Sequence, residues 1–111
     1  MSNLNGNQFQ ILQTLRNDFK AFGYETFTVT TSALPITVPS GCRYCFIQVE
    51  STNTVDAIRY RVDGGNPTST VGYFRANGDA FDIIEAENIK NFKVIKGAGA
   101  GTTTLNITYY R

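Results

Sequence analysis

The 111-residue chain contains no histidine and no tryptophan, and only two cysteines. Without histidine there is no imidazole acid or base and no histidine-centred triad. Two cysteines and no histidine also fall short of the Cys and His ligands that a zinc site takes from one chain. Charge is scarce: 17% of residues are charged, against about 25% in ordinary soluble domains. Ten basic residues face nine acidic ones, for a net charge of +1, which argues against a nucleic-acid partner. No apolar run approaches the ~20 residues of a membrane span. The first ten residues, MSNLNGNQFQ, lack the basic-then-apolar order of a secretory signal. Threonine and asparagine stand in the place of charge, which suits a neutral β surface that meets other protein. The length fits one domain.

Residues 36–70 are the stretch around which the rest is organised. In residues 57–62, AIRYRV, the apolar Ile58, Tyr60 and Val62 alternate with Arg59 and Arg61. Side chains on a strand point to opposite faces with period two, so the apolar set faces one way and both arginines the other. A register slip of one residue would drive both arginines into the core. In residues 44–50, YCFIQVE, Cys45, Ile47 and Val49 share a face, and both faces carry apolar residues. The run Asp63-Gly64-Gly65-Asn66-Pro67 then ends the strand, because proline cannot donate to a ladder.

Residues 8–22 read as a helix. Phe9, Leu12, Leu15, Phe19 and Phe22 recur at three- and four-residue steps with Ile11 beside them, capped by Asn7 and closed by Gly23. Such a stripe does not stay exposed on a soluble monomer. It packs on its own domain or docks on a neighbouring subunit. The domain division is therefore an arm over residues 1–23 and a β domain over residues 24–111. Strands are expected at residues 24–30, at 36–38 between Pro35 and Pro39, at 44–50, 57–62, 70–75, 80–84, 91–96 and 102–110. Asn77-Gly78 reads as a type I′ hairpin turn, and residues 86–88 as a loop or short helical turn. About eight short strands separated by turn signals predict an all-β, antiparallel sandwich, jelly-roll or immunoglobulin-like, with an N-terminal helix or arm.

No residues point to catalysis, and neither a cofactor nor a metal is expected. Cys42 and Cys45 have Cys-x-x-Cys spacing but open a strand rather than a helix, so they read as two packed thiols. Residues 97–102 lack the Lys-Ser/Thr ending of a phosphate loop. The carboxylate pairs Asp79 with Asp82, Glu85 with Glu87, and Asp56 with Asp63 all lie near turns, where carboxylates are solvated. Arg59 and Arg61 are expected to pair with carboxylates on a neighbouring strand or subunit, since the guanidinium fork binds a carboxylate at two points.

The strand and turn signatures carry a resemblance. They are Thr-Val-Pro-Ser-Gly at 37–41, Tyr-x-x-Ile-Gln-Val-Glu at 44–50, Ile-Arg-Tyr-Arg at 58–61, and Asp-Gly-Gly-x-Pro-Thr-x-Thr-x-Gly at 63–72. Asn-Gly-Asp-x-Phe-Asp at 77–82 and Thr-Leu-Asn-Ile-Thr-Tyr-Tyr-Arg at 104–111 complete them. Over about two-thirds of its length the chain resembles small β-sandwich structural proteins of tailed bacteriophages, of the head-decorating or auxiliary capsid type. The resemblance implies a virion protein assembled in the host cytoplasm that forms a homo-oligomer, a trimer or ring. It would dock on the major capsid protein or another virion protein, without nucleic acid or membrane. The residues expected at interfaces are Phe9, Ile11, Leu12, Leu15, Phe19 and Phe22 of the stripe, with Arg59 and Arg61. The alternatives are a head-fibre, connector or tail component, or a glycan-binding surface module using Tyr73 and Phe74.

Overall fold

A computed structural model describes residues 19–52, 56–98 and 101–111. Its elements are β1 (Ala21–Val29), β2 (Leu34–Pro35), β3 (Tyr44–Ser51), β4 (Ile58–Arg61), β5 (Tyr73–Arg75), β6 (Ala80–Ile84), α1 (Ala86–Asn91), β7 (Lys93–Lys96) and β8 (Thr103–Tyr110). Two four-stranded sheets result, in the orders β1-β8-β3-β6 and β2-β7-β4-β5. All their strand pairs are antiparallel. Strand β1 pairs with β8, β2 with β7, β3 with β6 and β4 with β5, so each pair of labels sums to nine. That is a long hairpin folded over and wrapped into two sheets, the jelly-roll arrangement. It decides between the two sandwich types expected from sequence.

The alternation in the sequence dictates which face of each strand is buried. Cys45, Ile47 and Val49 of β3 meet Thr103, Leu105, Ile107 and Tyr109 of β8, and all are buried. From the second sheet, Ile58 and Tyr60 of β4 and Val94 of β7 face them, with Phe92 and Ile89 closing the layer. Burying each large apolar side chain stabilises the fold by about 1.5–3 kcal/mol. Thr103, the buried polar residue among them, is satisfied by Ser51 at 2.8 Å.

Three sequence expectations are corrected. First, Phe22 and Gly23 are not a helix end. Strand β1 starts at Ala21, and Lys20 exchanges backbone hydrogen bonds with Arg111 at 3.0 Å each way. The register shifts between Ala21 and Gly23, so Phe22 is the extra residue of a β-bulge. Residues 8–18 of the expected helix lie outside the described residues. Second, the short strand is Leu34–Pro35 rather than residues 36–38. It is an edge strand, where Pro35 leaves no ladder bond unmade. Third, Asn77-Gly78 joins no hairpin, because β5 and β6 belong to different sheets. Gly78 has φ 89° while Asn77 does not have a positive φ, so the turn is not type I′. The turn crosses between the sheets instead, and Gly78 N–H donates to Val49 C=O at 2.8 Å.

Candidate interaction surface

Several groups capable of chemistry are engaged in the fold. Among the described residues, no group of three or more His, Cys, Asp or Glu side chains is placed to hold a metal ion. Cys42 and Cys45 are both free and buried. Burial first, then the neighbouring Cys42, pushes the Cys45 thiol up to about 12, which suppresses the reactive thiolate. The Tyr109 hydroxyl donates to Glu25. Burial, and then that hydrogen bond, raise its pKa above the usual tyrosine value. Of the carboxylates, Asp82 accepts from the Tyr44 hydroxyl at 2.7 Å and Asp79 accepts from Ala76 N–H at 2.8 Å.

Arg59 and Arg61 are engaged within their own chain, each with a carboxylate beside its own strand rather than across from it. Arg59 reaches Asp56 at 3.1 Å and donates to the Gly72 carbonyl at 3.1 Å. Arg61 grips Asp63 with both arms of its fork, at 3.0 and 2.6 Å. That pair, and then the Gly65 N–H, draw the Asp63 carboxyl down to about 2. Of the apolar stripe, Phe9, Ile11, Leu12 and Leu15 lie outside the described residues. Phe19 stacks on Tyr44 at 5.4 Å between centroids, with the Arg43 guanidinium 4.8 Å from its ring. Phe22 packs half-buried against the core under Arg111.

Among the described residues, three of the six exposed large hydrophobic side chains lie around β5, the others being Tyr24, Leu34 and Phe46. Val71, Tyr73 and Phe74 are 51%, 68% and 58% exposed. Strand β5 is an edge strand of three residues, too short and too marginal to cover its own side chains. Phe74 sits opposite Arg59 in the ladder and 5.0 Å from its guanidinium. Tyr73 stands between two grooves. One, of ≈ 370 Å³, is walled by Arg61, Val62, Asp63, Val71 and Gly72. The other, of ≈ 350 Å³, opens between β5 and β6 and is walled by Tyr60, Arg75, Asp82, Ile84 and Asn88. Because Arg59 and Arg61 are already matched by Asp56 and Asp63, this surface is apolar with an electrically balanced rim. Sequence singled out Tyr73 and Phe74 without Val71. The Gly-Gly-x-Pro turn just before them marks a strand that starts late, but nothing in the alternation tells an edge from the core.

The outer face of the first sheet is different in kind. The Tyr24 hydroxyl donates to Asn106 Oδ1 at 2.9 Å, and Asn106 Nδ2 donates to Glu50 at 2.8 Å. Tyr24, Asn106 and Glu50 are thereby tied into one network, with the exposed Phe46 beside them on the same face. No protein family, curated protein or solved structure matches this chain.

Proposed function

We propose that this chain is a structural protein of a bacteriophage particle, a head decoration or auxiliary capsid protein that self-associates and binds the shell. The observation that carries the proposal is the open apolar edge at β5, with Val71 and Tyr73 beside one groove and Phe74 on the opposite face beside Arg59. Exposed apolar side chains gathered on one sheet edge suit a protein contact. The jelly roll is an architecture of viral capsid domains as well as lectins. It supports the proposal as an analogy of fold, alongside the resemblance of the strand and turn signatures. The mechanism is interfacial burial: three side chains make a modest contact, and many copies on a lattice multiply it through effective concentration.

Two measurements test this. Light scattering behind size exclusion, on the full chain and on a version beginning at Phe19, reads self-association; among the described residues the buried core lies within residues 29–109. A trimer or ring is expected for the full chain. Mass spectrometry of purified particles of the encoding phage then reads incorporation, and absence from the particle would sink the proposal.

A second reading has its own observation. Tyr73 presents an exposed ring beside a fixed Arg61–Asp63 fork, which suits stacking and hydrogen bonding to a sugar. A glycan array without hits at high protein concentration removes it.

A further inference from the structure

We propose that Asn77-Gly78 is a modification site held shut by the fold: Asn77 deamidates when the crossover between the sheets opens, and the isoaspartate product keeps it open. The chemistry starts from the sequence. Asn5-Gly6 and Asn77-Gly78 are the two Asn-Gly pairs of the chain. Glycine has no Cβ to shield its amide nitrogen. Once hydroxide takes the proton from that nitrogen, the nitrogen attacks the asparagine Cγ. A C–N bond forms, the Cγ–Nδ2 bond breaks, and ammonia leaves with a proton supplied by water. The five-membered succinimide that remains is opened by water at either carbonyl, giving aspartate or isoaspartate. Water enters, ammonia departs, hydroxide is regenerated, and nothing is oxidised or reduced. The step needs a free Gly78 N–H, a movable Asn77 carboxamide and access to water.

The structure supplies the water and withholds the other two. Asn77 and Gly78 are both exposed, and nothing lies within 4 Å of where a Gly78 Cβ would stand. The single hydrogen of the Gly78 nitrogen is donated to the Val49 carbonyl at 2.8 Å. Asn77 Oδ1 accepts from Ser51 N–H at 2.9 Å, which pins the carboxamide against the end of β3. That bond polarises Cγ towards attack, but the attacking nitrogen is held on Val49. Val49 N–H in turn donates to the Asp79 carbonyl at 2.8 Å. The turn also closes on itself. Asp79 N–H donates to the Ala76 carbonyl at 3.1 Å, and Ala76 N–H donates to the Asp79 carboxylate at 2.8 Å. These bonds form one latch. Gly78 N reaches Cγ only by turning away from Val49, so the reaction waits for β3 and the crossover to part.

The two products differ in what they do to the latch. Aspartate keeps the backbone, and its carboxylate still accepts from Ser51 N–H. Isoaspartate routes the backbone through Cβ and Cγ, which adds one carbon to the turn between β5 and β6. That displaces Gly78 N–H from Val49 and Asp79 from Ala76. Since β5 and β6 belong to different sheets, the damage falls on the connection that joins them. An opening of this corner is thereby recorded in the covalent chain.

The test ages the full chain at mildly alkaline pH, in native buffer and in guanidinium chloride. Tryptic digestion and mass spectrometry read Asn77 apart from Asn5, and chromatography separates isoaspartate from aspartate. Conversion at Asn77 should be at least roughly tenfold slower in native buffer. Equal or faster conversion there would overturn the protection. Asp79→Ala removes the carboxylate bond to Ala76 N–H and should raise the native rate roughly fivefold, with no change in guanidinium chloride. An unchanged native rate in the folded variant would show that the latch is not what protects Asn77. Where circular dichroism finds the variant unfolded, the ratio measured on the parent protein decides alone. Chains aged in guanidinium chloride are then refolded and separated by size exclusion. Isoaspartate should collect in the fraction that does not refold, and an even spread between the fractions would overturn the one-way step.

Discussion

The two sheets of this sandwich do different work. The first has strands of nine, eight, eight and five residues, and the second of two, four, four and three. In the first, the two central strands present an unbroken buried face, and on the outer face Tyr24, Asn106 and Glu50 are bonded to one another. The second supplies the other half of the core but leaves its β5 edge apolar and open. The lesson is that a jelly roll of this size can place its order in one sheet and its available surface in the other. Mutations should then separate stability from association according to the sheet they touch.

The largest effect should come from the first sheet. Ile107 is completely buried at the centre of β8, and Ile107→Ala should cost about 3–4 kcal/mol in urea unfolding. A loss below about 1 kcal/mol would break the comparison. Next comes the junction between the sheets. A Cβ on Gly97 would collide with the Asp56 backbone carbonyl, so Gly97→Ala should cost about 2 kcal/mol in the same measurement. The other junction stores strain. Glu85, between β6 and α1, has φ 84° and ψ 133°, a conformation that penalises any side chain. Glu85→Gly should raise stability by about 1 kcal/mol, and unchanged stability would show that the strain is relieved some other way. On the β5 edge the sign of interest changes. Phe74→Ser should leave stability within about 0.5 kcal/mol yet weaken self-association measured by light scattering. If it unfolds the protein instead, β5 belongs to the scaffold and the division between sheets fails.

The smallest effect is electrostatic. Asp63 sits at about 2, below the ~3.9 of an unfolded aspartate. Its contribution is therefore complete above about pH 4 and is lost as the pH falls through about 2. Asp63 is at the surface, so the effect should be small and should shrink with added salt. A stability profile for Asp63→Asn that still follows the parent through this window would show that other carboxylates set the acid limb.

Much of this was legible in the chain, for identifiable reasons. The alternation in residues 44–50, 57–62 and 102–110 reports its buried faces directly, since period two has one structural meaning once both faces are compared. Pairing is another matter. Asn77-Gly78 has the composition of a tight hairpin, but the turn crosses between sheets, and no local signal records which strand receives β6. Phe22 continues a helical spacing that began at Phe9, yet it is a bulge in β1. The ladder to β8 outweighs a propensity of a few tenths of a kcal/mol per residue. At the candidate surface, Tyr73 and Phe74 look like the core of any short strand. Only their place on an edge leaves them open, and an edge is a property of the whole topology.

The nested pairing has a consequence for how the protein is made. Strand β8 lies between β1 and β3, at the centre of the first sheet, although every other strand precedes it in the chain. During synthesis β1 has no β-partner until Thr103–Tyr110 has left the ribosome, and β3 has only β6. Such distant pairing slows folding. It also means that a polypeptide stopped anywhere before Thr103 cannot complete its first sheet, so the topology itself withholds the finished sandwich from incomplete copies.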